Sequence, residues 1–240
     1  VIELRRPPGG FARVGHRGAS ALAPENTPAA FELAVKLGCD MLEFDVLSTA
    51  DGTVVVAHDS RSSSAQGVVT LDETLAFCVG RLPGVGLQVD LKRRGIEAAV
   101  VEALRRHGVL DRSWVSGFDA SSLRRIAELD PELPRSYTLP RDRLGISRRG
   151  PLAPVVRAAL ASIGASLPRR LPALLARARA SALTLHYSIA SAAAIARAHE
   201  LDAAVYVWTV DDPIRVERLV RAGADGIITN DPRVFTGLTT

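Results

Sequence analysis

Eight short runs of β-branched and apolar residues recur along this chain, each followed by a stretch with helical spacing. The expected strands cover 11–15, 40–47, 86–92, 113–117, 135–139, 182–186, 203–210 and 225–229. Strands that alternate with helices predict parallel pairing, because a parallel connection needs a crossover and a helix supplies one. Eight such units predict an α/β fold with a single (β/α)8 TIM barrel, and a length of 240 residues suits one barrel. The whole chain, 1–240, is therefore read as one domain.

The punctuation agrees with the alternation. Thr27 followed by Pro28 offers an N-cap and a first helical position, and the helix they begin is expected to stop at Gly38. Further helices are expected over 70–79, 96–107, 121–129 with a serine cap, 190–201 and 213–222. The stretch 141–175 reads as two or three short amphipathic helices broken by Pro and Gly. Asp51-Gly52 marks a tight turn that returns the chain as a short extra strand over 53–57. Cys39 and Cys78 lie in no metal or redox pattern and are expected to be buried free thiols.

Chemistry concentrates in 14–59, where His16-Arg17-Gly18, Glu43-Phe44-Asp45 and His58-Asp59 each follow or sit in a strand. One residue separates Glu43 from Asp45, so on a strand both side chains leave one face, about 7 Å apart. Two carboxylates that point into a barrel need a cation, and oxygen donors suit Mg²⁺ or Ca²⁺. Asp90 and Lys92 repeat that spacing on the next barrel strand. Within 14–59, two imidazoles, a guanidinium and two carboxylates are a kit for metal-assisted phosphoryl chemistry.

HRG, Pro24-Glu25-Asn26-Thr27, the Glu-x-Asp pair and the series from Asp51 to Asp59 resemble the glycerophosphodiester phosphodiesterase family. The likeness continues through Asp90-Leu91-Lys92, Ser116-Gly117-Phe118-Asp119, the run Val205 to Val210 and the ending Ile227 to Pro232. The resemblance implies metal-dependent hydrolysis of glycerophosphodiesters to an alcohol and glycerol phosphate. It implies His16 and His58 as the acid–base pair, with the individual roles open. Glu43, Asp45 and Asp90 would hold one divalent cation, Mg²⁺ or Ca²⁺. Arg17 and Lys92 would face the phosphate, and Trp208 the carbon skeleton of the substrate. His186, at a strand end, could touch substrate or serve structure.

Three departures stand out. The family has Glu-x-Lys where this chain has Asp90-x-Lys92, and Asn where it has Asp211. The family's inserted subdomain after His-Asp is cut here to a short loop over 60–69. A shortened rim predicts an open cleft and broad tolerance of head groups. Asp-x-Lys and the lost insertion also resemble phospholipase D toxins of the sphingomyelinase D type, which is the alternative activity. A non-catalytic ligand-binding barrel is the third.

Thirty Lys and Arg against 26 Asp and Glu give a net charge of +4, too small an excess to mark a nucleic-acid binder. The expected partner is a small phosphodiester or lysophospholipid substrate. No apolar run is long enough for a membrane span, and the opening residues lack a signal-peptide core. A cytoplasmic location is the expectation, with a removed secretion signal left open by the absent initiator Met.

Overall fold

The structure, a computed structural model, describes residues 1–7, 9–59, 68–140 and 153–237. The first unit is β1 (Ala12–His16), α1 (Pro28–Lys36), β2 (Met41–Ser48) and a short β3 (Val54–Val56). There follow α2 (Leu71–Arg81), β4 (Gly86–Leu91), α3 (Glu97–Arg106), β5 (Ser113–Gly117), α4 (Ala120–Leu129) and β6 (Arg135–Leu139). The chain continues through α5 (Ala153–Ala178), β7 (Ala182–His186), α6 (Ala192–Glu200), β8 (Ala204–Trp208), α7 (Pro213–Arg221) and β9 (Gly226–Thr229).

All of these strands except β3 run parallel, and β1 closes the ring by pairing with both β9 and β2. The result is the expected eight-stranded (β/α)8 barrel. β3 lies antiparallel on the end of β2, with Val46 opposite Val56, and raises one side of the rim. Every residue of β4, and all of β2 except its last, is buried, because one face meets the barrel interior and the other the helices.

Two apolar layers follow from the two faces. Leu42, Phe44, Leu87, Val89, Val115, Val205 and Val207 belong to the larger layer beneath the helices. Val14, Met41, Trp114, Tyr206 and Ile228 fill the lower barrel, and Leu4 belongs to the same cluster. Tyr206 stacks obliquely on Trp114 at 4.6 Å and donates its hydroxyl hydrogen to the Leu4 carbonyl at 3.2 Å. Room for those rings depends on Gly226, where an added Cβ would fall within the Tyr206 ring. Gly226→Ala is expected to destabilise the fold by about 1–3 kcal/mol, the usual cost of overpacking. A chemical-denaturation midpoint equal to that of the parent would contradict this packing.

The caps explain most helix starts. Thr27 accepts from Ala30 N–H with Pro28 in the first turn, and Thr70 and Glu73 form a reciprocal capping box on α2. The serine cap expected for α4 is corrected: Asp119 accepts from Ser121 N–H, and the helix begins at Ala120. A carboxylate there outcompetes the hydroxyl because it also meets the positive end of the helix.

A second correction concerns α5. The described part of the stretch read as short, broken helices is one helix of 26 residues that runs through Pro168 and Pro172. Two interior prolines cost roughly 6 kcal/mol together. Leu167, Leu171 and Leu175 recur every four residues and are buried, at about 1.5–3 kcal/mol each. The apolar stripe offsets the prolines. The expectations for 60–67, most of the shortened loop, and for 141–152 lie outside the described residues.

Cys39 and Cys78 are free and buried, as expected. Burial pushes the Cys39 thiol up to about 12 and the Cys78 thiol to about 11.

Candidate active site

Alternation along β2 and β4 decides which side chains meet. Leu42, Phe44 and Val46 face the helices, so Glu43 and Asp45 turn inward, and parallel register sets Asp90 directly beside Asp45. All three carboxylates are buried, and each offers an oxygen within 4.8 Å of the others.

Buried carboxylates need neutralising charge. Lys92 Nζ lies 2.5 Å from Asp45 Oδ1 and 2.6 Å from Asp90 Oδ2, and Arg17 Nε lies 2.7 Å from Asp45 Oδ2. Burial opposes ionisation of Asp45, but Lys92 and Arg17 outweigh it and hold its carboxyl well below the usual range. Lys92 is displaced the other way. Burial favours its neutral form, yet Asp90 and Asp45 hold the ammonium well above its ordinary value. Glu43 accepts only the Arg17 backbone N–H at 3.0 Å among its described hydrogen bonds. Its burial and the charge of Asp45 push its pKa well up.

Three carboxylates against two cations leave one negative charge, and that excess together with burial is what raises the Glu43 pKa. A divalent cation would reverse that balance to one positive charge, matched to the single negative charge of a phosphodiester. The carboxylate oxygens of all three residues converge within 4.8 Å of one another in a buried setting. The donor set therefore fits a hard divalent cation.

The turn after β1 is built to aim Arg17. Arg17 has a φ of 55° and Gly18 a φ of 79°. A Cβ on Gly18 would come within 2.6 Å of the Ala30 backbone on α1, so the His-Arg-Gly order is a packing requirement as well. Left-handed Arg17 directs its N–H to Glu43 while its side chain reaches Asp45 and, through Nη1, Glu25 at 2.7 Å. Asn26, also left-handed, donates to Asp45 Oδ2 at 3.3 Å and accepts the Asp45 N–H at 3.4 Å.

His16 ends β1 with Nε2 3.9 Å from Glu43 Oε2. Its Nδ1 is 2.6 Å from Asn230 Oδ1. Asn230 is itself fixed, with its backbone N–H and Nδ2 donating to the two Asp211 oxygens at 2.7 Å each. The amide thus presents its oxygen to His16, so Nδ1 carries the hydrogen and Nε2 keeps a lone pair on the acidic side. Burial first, then the Arg17 charge, pushes the His16 pKa down to about 4. His58 follows β3, where Ala57 N–H donates to the Asp45 carbonyl at 3.0 Å. It is half-buried, and burial with the Arg17 charge lowers its pKa too.

Trp208 stands opposite at the end of β8, edge-on to Phe118 at 5.8 Å and to His186 at 5.4 Å. Lys92 Nζ is 5.9 Å from the Phe118 ring centre. His186 bonds Ser188 and packs on Trp208, which gives it a structural part in the rim. The structure thus gathers His16, Arg17, Glu43, Asp45, His58, Asp90 and Lys92 around one cluster, with Trp208 linked to it through Phe118.

Sequence reasoning passed over Ser116, Asn230 and Asp211. Ser116 donates to Asp90 Oδ1 at 2.5 Å and accepts from Gln88 Nε2 at 3.0 Å. Ser116 and Asn230 lie in fragments that carried the resemblance, and Asp211 is one of the departures. Their contacts join different strands, which linear spacing does not reveal.

A sequence profile of the Glycerophosphoryl diester phosphodiesterase family matches residues 16–79 and 68–234. A glycerophosphodiester phosphodiesterase of Caldanaerobacter subterraneus subsp. tengcongensis is 28% identical over 260 residues, covering 94% of this chain and 96% of its own. Human lysophospholipase D GDPD1 is 46% identical over 65 residues, 27% of this chain and 21% of its own. The fold of an Oleispira antarctica phosphodiesterase, solved with the product sn-glycerol-3-phosphate, superposes with a TM-score of 0.72 at 22% identity. That match covers 95% of this chain and 96% of the other. With its profile matched from β1 to the last strand and its acidic cluster in place, the chain belongs to the glycerophosphoryl diester phosphodiesterase family.

Proposed function

We propose that residues 1–240 act as one catalytic domain that hydrolyses glycerophosphodiesters to an alcohol and glycerol phosphate. The observation that carries this reading is the gathering of three buried carboxylates, two cations and two histidines at one barrel rim. Glu43, Asp45 and Asp90 are the ligands for one divalent cation, Mg²⁺ or Ca²⁺. When bound, it supplies Lewis-acid polarisation of a phosphoryl oxygen.

The chain's own residues do the rest. Arg17 and Lys92 stabilise the negative charge that grows on the phosphoryl oxygens. His16 is neutral at pH 5–8 because its pKa lies near 4, and its Nε2 lone pair accepts the proton of the nucleophile. His58, half-buried at the mouth, takes a proton from solvent and passes it to the departing alcohol oxygen, while His16 releases the proton it accepted to solvent to complete the cycle. Trp208 and Phe118 pack against the carbon skeleton. The product held by the Oleispira antarctica neighbour supports glycerol phosphate as the retained half.

A lysophospholipid is the second substrate class, favoured by the 46% identity to human lysophospholipase D GDPD1 over 65 residues. No helix among the described residues is long and apolar enough to cross a membrane.

The test is kcat/KM across glycerophosphocholine, glycerophosphoethanolamine, glycerophosphoinositol and a lysophospholipid. Turnover of several within about 10³-fold of one another is expected for a rim without the inserted subdomain. A preference above that for one small head group would contradict the open cleft, and no turnover of any would contradict the activity.

A further inference from the structure

A neutral imidazole has two tautomers, and His16 can accept a proton toward the acidic cluster in only one of them. Nε2, 3.9 Å from Glu43 Oε2, must keep its lone pair, so the ring hydrogen must sit on Nδ1. The ring does not make that choice itself. Its Nδ1 lies 2.6 Å from Asn230 Oδ1, and an amide can present either its oxygen or its NH2 group to an imidazole. The tautomer is therefore set by whatever orients Asn230.

The contacts of Asn230 differ in how firmly they do this. Ser20 Oγ lies 2.9 Å from Asn230 Oδ1, but a hydroxyl rotates to donate or accept and would follow a turned amide. The Ala21 N–H donates to the Asn230 backbone carbonyl at 3.0 Å, which holds the main chain and leaves the side chain undecided. Asp211 is different. Its Oδ2 lies 2.7 Å from Asn230 Nδ2, and its Oδ1 accepts the Asn230 backbone N–H at 2.7 Å and the Thr229 hydroxyl at 2.8 Å. A carboxylate has no hydrogen to give, so only the NH2 end of the amide can face it. The opposite orientation would set two oxygens against each other and forfeit a charge-assisted hydrogen bond, roughly twice as strong as a neutral one.

We infer that Asp211 is a positioning residue that selects the His16 tautomer through Asn230. It stands between β8 and α7, and among the described residues its hydrogen bonds go to Thr229 and Asn230, none to His16 or the carboxylate cluster. The catalytic value of that tautomer rests on the proposed phosphodiesterase activity; the tautomer itself does not. Asp211 is also a departure from the family's pattern, so the selection depends on this chain's own pairing with Asn230.

Asp211→Asn keeps the size of the side chain and one oxygen. The Asn230 backbone N–H can only donate and claims that oxygen, so the new NH2 group meets Asn230 Nδ2. Two donors cannot pair. The Asn230 amide turns over, its NH2 group faces His16 Nδ1, and the ring hydrogen moves to Nε2. Exchanging the pair, Asp211→Asn/Asn230→Asp, restores the direction. The 211 amide then donates to one oxygen of the 230 carboxylate, and the other oxygen accepts from His16 Nδ1.

¹⁵N NMR of histidine-labelled protein at pH 7, where His16 is neutral, reads the tautomer directly. A His16→Ala spectrum assigns the signal, and His107 and His199, in the helical layer, report correct folding. The parent should carry hydrogen on Nδ1, the single variant mainly on Nε2, and the exchanged pair on Nδ1 again. Turnover should follow. In Asp211→Asn, kcat should fall about tenfold or more with KM within about threefold, and the exchanged pair should recover to within about threefold of the parent.

A folded single variant that keeps hydrogen on Nδ1, or an exchanged pair that leaves it on Nε2, would overturn the inference. An inverted tautomer with unaltered kcat would overturn the positioning role. If the tautomers change as expected and the parent hydrolyses no diester, the selection by Asp211 stands and the phosphodiesterase activity fails.

Discussion

Chelation of divalent cations is expected to abolish diester turnover, and re-addition of Mg²⁺ or Ca²⁺ to restore it. Glu43, Asp45 and Asp90 converge with oxygens within 4.8 Å, and the two cations beside them leave one negative charge uncompensated. Phosphate carries negative charge of its own, so the metal-free cluster does not attract it. Asp90→Asn removes a ligand charge and should weaken metal binding more than Asp90→Glu, which keeps the carboxylate one methylene further out. Ser116→Ala leaves Asp90 Oδ1 without its 2.5 Å hydrogen bond and should lower metal affinity by about 10–100-fold. Titrating activity against free metal ion reads all three variants. Unchanged turnover in excess chelator would contradict the assignment of the carboxylates.

Replacement of His16 or His58 by Ala should each lower kcat by about 10²–10⁴-fold with folding intact. The two variants should part company when the leaving group needs no proton. On a nitrophenyl diester, His58→Ala should recover most of its activity and His16→Ala should not, because the base is still missing. Recovery in the opposite variant would exchange the two roles, and near-normal turnover by both on an ordinary diester would remove the acid–base assignment. Asn230→Ala should lower kcat with little change in KM, since Asn230 orients the His16 ring at 2.6 Å without facing the cluster itself.

What could be read in the chain depended on how local the determinant was. Eight strands were legible because apolar runs and helical spacing alternate within short windows. That Glu43 and Asp45 share one face, and Asp90 and Lys92 another such pair, followed from strand periodicity, and parallel register then set Asp45 beside Asp90. α5 was misread because Pro168 and Pro172 speak against a helix locally, while the Leu167, Leu171 and Leu175 stripe gains its energy only against the rest of the core. The Asp119 cap was misassigned by two residues for a similar reason, since both Asp119 and Ser121 are good caps.

The supporting contacts were beyond linear reading. Asp211 and Asn230 meet across the ends of β8 and β9, and Asn230 then reaches His16 on β1, so the chain of three spans the seam of the barrel. Gln88, Ser116 and Asp90 form the equivalent chain across β4 and β5. Only barrel closure creates either one.

The most direct test of the central claim is ³¹P NMR of glycerophosphocholine incubated with the purified protein, with Mg²⁺, with Ca²⁺ and with chelator. The expected spectrum with at least one of the two cations shows the diester resonance replaced by that of glycerol phosphate, linear or cyclic, with free choline released. No change is expected in chelator. Phosphocholine as the product, hydrolysis that persists in chelator, or an unaltered diester under every condition would contradict the account.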